Sequence, residues 1–528
     1  MGVYLNPGNK GFQENLDSQI YVDKTGLITY TNAVLNTRQK YVCVSRPRRF
    51  GKSMAMNMLA AYYGRGADSG RQFQNLAVAQ DSDYKKHLNQ YDVLKINMQE
   101  FLSRTDNVDT MLVLLEQRIL ADLEQAYPEY IVQGDFLYTM QKIYAGTHHS
   151  FIILIDEWDC LFREYQLDSH AQRKYLDFLR TWLKEQEFVA LAYMTGILPI
   201  KKYGTHSALN MFTEYSMTNS RKLTPYFGFT EKEVADLCRN YHMSFEEMKA
   251  WYDGYDLISS DSGQPVHHAV YNPNSVVEAL LSGMLDNYWN QTETYEALKV
   301  YIQMNFEGLK DCITKMLAGE PVPINIGTFS NDMTTFRNRD DVLTLLVHLG
   351  YLSYDWNHKT VSIPNKEVGE EYLNVIREIQ WNEVIQSIDR SRRLLEALWN
   401  MDADTVAAGI DRAHYEIPSL EYNDENSLSC TIQLAFYFAR EYYTIIREFP
   451  SGKGFADICF LPRKAHADKP AAIIELKWNQ GAGGALSQIK ERNYSESLRE
   501  YHGNLLLAEI NYDQKTKKHT CEIEKLIL

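Results

Sequence analysis

Long apolar runs are missing from this chain. No stretch approaches the roughly 18 consecutive apolar residues of a membrane-spanning helix, so a bilayer-embedded protein is not expected. The start, Met1-Gly-Val-Tyr-Leu-Asn-Pro7, has no basic segment followed by an apolar one, so no secretory signal is expected. Asn6 stands where a myristoylation site would want Ser or Thr. Paired cysteines are missing too. The seven cysteines show no Cys-x-x-Cys spacing, which argues against a disulfide frame or a zinc site and for reduced thiols in the cytoplasm. An excess of positive charge is absent: the net charge is −15, and residues 401–528 alone carry −4. This argues against indiscriminate binding of nucleic acid over the whole surface, and any track for it must be a local patch. No repeat or low-complexity linker interrupts the 528 residues.

What is there is a large globular chain, 45% hydrophobic and 23% charged, long enough for two to four domains. From about 40 to 220, short apolar runs alternate with amphipathic stretches, the pattern of βα units on a mostly parallel sheet. Strands are expected at Lys40–Ser45, Val93–Asn97, Phe151–Ile155, Val189–Thr195 and Phe212–Thr218. Helices are expected at Ser53–Tyr63, Thr110–Ala126 and His170–Glu187. From 230 to 400 the pattern turns largely helical, with one hint of a winged helix. There, helix Asp341–Leu349 is followed by strands Tyr351–Asp355 and Thr360–Ile363 around a polar turn. Beyond 400 the pattern returns to α/β: helix Glu425–Glu441, strands, helix Leu486–Glu500 and strand Asn504–Ile510. Boundaries are placed at 1–230, 231–400 and 401–528.

Strand Tyr41–Ser45 runs into Arg46-Pro-Arg-Arg-Phe-Gly-Lys-Ser53 and then an apolar helix, the context of a P-loop. Backbone N–H groups at such a turn face phosphates. Lys52 would reach the outer phosphates and the Ser53 hydroxyl would join a Mg²⁺ shell. Arg46 stands where the usual first glycine would. Phe151-Ile-Ile-Leu-Ile-Asp156-Glu157 reads as a buried strand whose tip carries carboxylates. Asp156 would hold Mg²⁺ and Glu157 would polarise the attacking water, unless the pair is simply a helix cap. Thr195, at the tip of a further strand, is a candidate γ-phosphate sensor or a turn hydroxyl. Arg46, Arg48 and Arg49 either clamp phosphate or pair with the acidic surface. Arg337 and Arg339 lie in a region suited to an arginine finger, with nothing further to recommend them.

Asp457 lies in the apolar run Phe455–Phe460, eighteen residues before Glu475, which ends another run with Lys477. Two strands of a hairpin would bring these groups together. Two carboxylates hold a hard divalent cation, and a lysine orients water or steadies developing negative charge, which is phosphodiester-cutting chemistry. Glu-x-Lys is a common tripeptide, and an exposed strand edge with a surface ion pair is the other reading. The apolar neighbours of Glu475, and Lys477 on its face at period two, weigh against that. Gly452, Gly454 and Gly481–Gly484 either admit a nucleic-acid backbone or serve as loops. The pairs His148-His149 and His267-His268 diverge in helix or strand and are set aside as metal sites.

The run Ser45-Arg-Pro-Arg-Arg-Phe-Gly-Lys-Ser-Met54 resembles the phosphate loop of the bacterial AAA-ATPase-like family, usually joined to a PD-(D/E)xK nuclease domain. Tyr21-Val-Asp-Lys-Thr25, Leu154–Glu157, Thr195-Gly196, Trp251-Tyr-Asp-Gly-Tyr255 and Tyr271-Asn-Pro273 look like further marks of that family. Ser451–Asp457 and Ile473–Asn479 are similar to its nuclease core. The resemblance implies an α/β protein: a P-loop NTPase parallel sheet, a helical or winged-helix middle, and a C-terminal restriction-endonuclease-like domain. It makes Arg46 the family's habit. It implies ATP and Mg²⁺ at Arg48, Arg49, Phe50, Gly51, Lys52, Ser53, Met54, Asp156 and Thr195. It also implies Mg²⁺ or Mn²⁺ at Asp457 and Glu475, with Lys477 assisting. The implied substrate is nucleic acid, DNA in the first instance, and an oligomer stays open. Glu425 is a candidate extra ligand by analogy with the fold, or a capping-turn residue. Gln488 and Tyr494 look like an accessory polar pair, although their spacing departs from that of RecB-type nucleases. The other function open to such a chain is a nucleotide-dependent switch whose nuclease-like domain only binds nucleic acid or a partner.

Overall fold

The computed structural model describes residues 2–479 and 504–526, apart from 201, 204–205, 208, 262–263, 290–293, 305, 331–332, 334–335, 417–424, 452–453 and 464–465. The expected helix Leu486–Glu500, the glycines 481–484, Gly452, Gln488 and Tyr494 lie outside the described residues. Packing divides the chain into two units, Met1–Thr294 with Pro323–Glu370, and Tyr295–Val322 with Glu371–Leu528. No helix among the described residues is long and apolar enough to cross a membrane.

In the first unit, β1 (Tyr41–Ser45), α1 (Lys52–Tyr63), β2 (Asp92–Asn97), α2 (Val108–Ala126), β3 (Phe151–Asp156), α3 (Ser169–Leu183), β4 (Val189–Gly196) and β5 (Thr213–Tyr215) follow in order. The sheet order is β2-β3-β4-β1-β5, and every pair is parallel. β1, β3 and β4 are buried along their whole length, which is why their sequences read as unbroken apolar runs. Val42, Val44, Ile152 and Leu154 pack with Met56 and Leu59 of α1 in the main core of this unit. Because the strands are parallel, the ends of β1, β3 and β4 open on one edge, the ligand-binding edge of such sheets. α3 stops short of the expected Glu187: Lys184 turns extended and Glu185 takes φ 58°, and the chain turns into β4.

The middle stretch is largely helical, with one antiparallel ribbon that was not expected. Tyr255 and Leu257 are buried at period two, and the chain forms an antiparallel ribbon of β6 (Tyr255–Asp261) and β7 (Gln264–Tyr271). Asn272 then caps α4 (Pro273–Ser282), its side chain accepting from Asn274 N at 2.9 Å with proline at the first position. The winged-helix hint corresponds to α5 (Arg339–Leu349) and the antiparallel β8 (Ser353–Asp355) and β9 (Thr360–Ser362).

In the second unit, α6 (Asn382–Trp399), α7 (Ala403–Glu416) and α8 (Glu425–Ala435) precede β10 (Tyr443–Ser451), β11 (Gly454–Pro462), β12 (Ala471–Trp478), β13 (Leu505–Asp513) and β14 (Lys518–Leu526). The expected helix to Glu441 is α only to Ala435 and continues as a 3₁₀ turn, Tyr437–Glu441. The sheet runs β10-β11-β12-β13-β14, with β12 and β13 parallel and the other pairs antiparallel. Ile458, Ile474, Leu476, Ala508 and Ile510 face the helices in one core, while Cys459, Ile473, Leu505 and Leu507 form a smaller cluster on the opposite face.

Gly254 shows what the Trp-Tyr-Asp-Gly-Tyr motif builds. It sits at φ 124°, and a Cβ there would lie 1.7 Å from the carbonyl oxygen of Pro364. We expect Gly254→Ala to cost about 3 kcal/mol through backbone strain and displaced packing, seen as a lower midpoint in thermal unfolding. An unchanged midpoint refutes this account of the motif.

Candidate functional site: a phosphate loop and an acidic sheet face

The first candidate site is built on the exposed edge of the parallel sheet. Arg46 N bonds Gly196 O at 3.0 Å, tying the end of β1 to the end of β4. Gly51, at φ 85°, caps α1 with open space where a Cβ would be, and Arg49 is left-handed at φ 67°. Arg46 itself is fully buried. Its Nη1 donates to Ser45 O and Tyr215 O, both at 2.9 Å, and its guanidinium lies 5.7 Å from the Phe227 ring centre. Burial pulls its pKa down to about 10. It faces the interior under the loop, so the phosphate-clamp alternative falls away for Arg46. Arg48 and Arg49 line the cavity.

Lys52 is buried, and its Nζ donates to Arg46 O at 2.9 Å and Pro47 O at 2.8 Å. Burial lowers its pKa, against the upward pull of Glu157, Asp156 and Asp159. Asp156, at the tip of β3, accepts from Ser53 Oγ at 2.8 Å, Thr195 Oγ1 at 2.5 Å and Glu157 N at 3.0 Å. The start of α1 and the ends of β3 and β4 thus meet at one carboxylate. Glu157 is left-handed at φ 51° and takes a charge-assisted hydrogen bond from Arg163. Burial raises the Glu157 pKa, and Arg163 opposes the rise.

Three positions were missed in the sequence. Asp159 is fully buried, and its Oδ2 accepts from Ile197 N at 2.9 Å and Leu198 N at 2.8 Å, fixing the turn after Thr195-Gly196. Gly196 permits this approach, since a Cβ there would lie 2.7 Å from Asp159 Oδ1. Arg163 reaches Asp159 at 3.6 Å as well as Glu157. The signal was available: Asp156-Glu157-x-Asp159 followed one helical turn later by arginine. Lys24, inside Tyr21-Val-Asp-Lys-Thr25, donates to both Glu233 oxygens at 2.7 and 2.6 Å and to Pro225 O at 2.8 Å.

Of these groups, Lys24, Lys52, Ser53, Glu157 and Arg163 line a cavity of about 890 Å³, together with the rest of the segment from Arg48 to Ala55. Apolar Val22, Phe229, Pro273 and Val277 also line it. A cavity of this size with both cationic and apolar lining suits a nucleoside triphosphate in chemistry. Ser53 and Asp156 supply the oxygen donors that Mg²⁺ takes. Arg337 and Arg339 are engaged within their own segment, Arg337 N on Asp341 at 2.9 Å and Arg339 Nε on Asp340 at 3.5 Å.

The second candidate site lies on the smaller-cluster face of the mixed sheet. Ile458 pairs with Ile474, so one step along the antiparallel register sets Asp457 opposite Glu475. Asp457 Oδ2 accepts from Leu476 N at 2.7 Å. Glu475 is 5% exposed, and Lys477 is half-buried two residues on, on the same face. Glu425 opens α8, which packs against β12. Among the described residues no three His, Cys, Asp or Glu side chains already converge as a metal-ligand set. The facing carboxylates are nonetheless the oxygen donors that a hard divalent cation takes.

Asp159→Ala leaves two buried N–H groups without an acceptor, so we expect a loss of about 2–4 kcal/mol, read as a lower unfolding midpoint. An unchanged midpoint removes Asp159 as the anchor of that turn.

Residues 10–205 match the family model described as predicted AAA-ATPase, and residues 424–522 match that of the PD-(D/E)XK nuclease superfamily. Among curated proteins the chain is similar to an uncharacterized protein in the vnfD 5' region of Azotobacter chroococcum mcd 1. The two are 26% identical over 288 residues, covering 53% of this chain and 51% of that protein. The chain thus spans about half the length of that relative. Among solved structures it is similar to the Aeropyrum pernix ORC2 protein in its ADPNP–ADP complexes, with 10% identity and TM-score 0.30, and in its ADP form, with 11% and 0.28. Each covers 70% of this chain and 98% of its own, at TM-scores too low to carry an argument.

Proposed function

We propose that this chain, in which a predicted AAA-ATPase domain is followed by a domain of the PD-(D/E)XK nuclease superfamily, binds and hydrolyses ATP and cuts nucleic acid with a divalent metal. The observation that carries the reading is the meeting of Ser53, Asp156 and Thr195 beside a cavity walled by the phosphate loop. In this proposal 1–230 is the ATPase domain, 231–400 the helical and winged-helix-like region, and 401–528 the nuclease-like domain.

At the first site, backbone N–H groups at the start of α1 face the phosphates, and Lys52 leaves its two carbonyl partners to pair with the outer phosphate oxygens. Arg48 and Arg49 add positive charge at the cavity wall. Ser53 and Asp156 would hold Mg²⁺, which would neutralise the charge developing on the phosphates. Thr195 holds Asp156 in place, and Glu157 accepts the proton of the attacking water. Phe50 seats the loop through buried apolar packing, and Met54 is exposed at the cavity. At the second site, Asp457 and Glu475 would hold Mg²⁺ or Mn²⁺, which would activate water and stabilise the leaving oxygen. Lys477 orients the water and offsets negative charge at the phosphorus. The substrate is nucleic acid, DNA in the first instance, and ATP turnover governs access to the cutting site in the cytoplasm.

Lys52→Ala is expected to abolish ATP hydrolysis. Glu157→Gln should still bind a fluorescent ATP analogue while hydrolysing ATP about 100-fold or more slowly. Hydrolysis at the wild-type rate in either variant overturns the ATP-site assignment. Asp457→Ala and Lys477→Ala should lose Mg²⁺- or Mn²⁺-dependent cleavage of labelled DNA or RNA and retain ATP hydrolysis. Tight nucleic-acid binding by the wild type without cleavage under any metal would replace the nuclease reading with a nucleotide-dependent switch.

A further inference from the structure

Glu157 stands on a turn that is pinned from several sides. Its backbone N bonds Asp156 Oδ1 at 3.0 Å, its carbonyl accepts from Cys160 N at 3.0 Å, and Trp158 N reaches Thr195 O at 3.1 Å. A left-handed backbone at φ 51° is uphill for a residue with a Cβ, so these surroundings enforce it. The backbone is fixed, but a glutamate side chain still turns about its own bonds. One contact removes that freedom: Arg163 Nη2 donates to Glu157 Oε2. The other oxygen, Oε1, takes no hydrogen bond among the described residues, and Glu157 lines the cavity with Lys52 and Ser53.

Arg163 is itself held in place. Its Nε lies 3.6 Å from Asp159 Oδ2, the oxygen that accepts from the amides of Ile197 and Leu198. The short helix that carries it, Cys160–Glu164, is braced on either side. Before it, Tyr175 Oη donates to Trp158 O at 2.8 Å; at its end, Gln99 Nε2 donates to Glu164 Oε1 at 2.5 Å. A guanidinium shared by two carboxylates is kept at Glu157 by charge on both sides, and its planar fork fixes direction as well as distance.

We propose that Arg163 is a positioning residue for ATP hydrolysis: it holds Glu157 by Oε2 so that Oε1 is aimed at the attacking water. The inference rests on the ATP-site reading above, in which Glu157 takes that water's proton, and adds the residue that sets its direction. The proton passes to Oε1, the water oxygen bonds to the γ-phosphorus, and the bond from that phosphorus to the β–γ bridging oxygen breaks, releasing ADP. Arg163 acts through Glu157 and needs no contact with the phosphates. Asp159 serves twice, anchoring the turn after Gly196 and seating the guanidinium.

The test is steady-state ATP hydrolysis by the full-length protein with Mg²⁺, in single variants and in the Glu157→Gln/Arg163→Gln pair. Arg163→Gln is expected to lower kcat about tenfold or more while KM for ATP stays within about twofold of the wild type. Arg163→Lys, which keeps a charged donor for Oε2, should recover part of the lost kcat. In the Glu157→Gln background, Arg163→Gln should change kcat by less than about twofold, because the group it positions is gone. A raised KM with unchanged kcat assigns Arg163 to the phosphates and overturns the inference. A loss of kcat that persists in the Glu157→Gln background assigns it to the fold and overturns the inference equally. Either result leaves the ATP-site reading standing. Should Arg163→Gln fail to fold, Arg163→Lys is measured in both backgrounds, with a partial loss of kcat expected that vanishes beside Glu157→Gln. Wild-type kcat in Arg163→Lys, or a loss that persists, then overturns the inference. Hydrolysis at the wild-type rate by Glu157→Gln overturns the ATP-site reading, and this inference with it.

Discussion

Asp156 is where the first unit converts its architecture into a site. A parallel sheet places all its strand tips on one edge, but tips alone do not make a pocket; something must fix their relative depth. Here one carboxylate accepts from the hydroxyl that opens α1, from the hydroxyl that ends β4 and from the amide that follows β3. Each hydrogen bond to a charged acceptor contributes about 1.5–3 kcal/mol, and together they hold three elements in register. Asp159 repeats the device one layer deeper, gripping the two amides after Gly196. The loop between β1 and α1 can then present backbone donors outward, because its supports are satisfied from below.

Arg46 shows how a phosphate loop manages without its first glycine. The side chain that glycine would have avoided is turned inward. It donates to carbonyls at the ends of β1 and β5 and lies over Phe227. Its Nε and Nη2 have no partner among the described groups. A fully buried guanidinium is costly unless hydrogen bonds and aromatic packing offset it. The residue therefore acts as a strut under the loop, and the positive charge available to a ligand comes from Lys52, Arg48 and Arg49. Sequence inspection could not separate these roles, because three arginines within four positions look alike until their directions are known.

The same distinction explains what was legible beforehand. The parallel strands announced themselves as apolar runs because both faces are covered, and the loop and the Asp156 tip were readable from strand–turn–helix order. The β6–β7 ribbon was not. Ser259 and His268 are half buried and His267 is exposed, so only Tyr255 and Leu257 carried the period-two signal. β5 shrank to Thr213–Tyr215 at the sheet edge, where pairing on one side alone sets its length. Asp457 and Glu475 were foreseen as hairpin partners, and their strands are antiparallel neighbours. The neighbouring of Glu475 and Glu509 was invisible because it depends on parallel pairing across a long connection, which no local spacing encodes.

The two sheets arrange buried negative charge differently. In the parallel sheet, amides, hydroxyls and Arg163 reach Asp156, Glu157 and one oxygen of Asp159. In the mixed sheet the carboxylates stand in register on adjacent strands. Lys477 pairs in register with Asn511, two residues along from the Glu475–Glu509 pair. Strand geometry allows each residue only two directions, and helix-side packing of Leu476, Ala508 and Ile510 takes one of them. Glu475 and Glu509 are thereby placed on one face of the sheet, side by side on parallel strands.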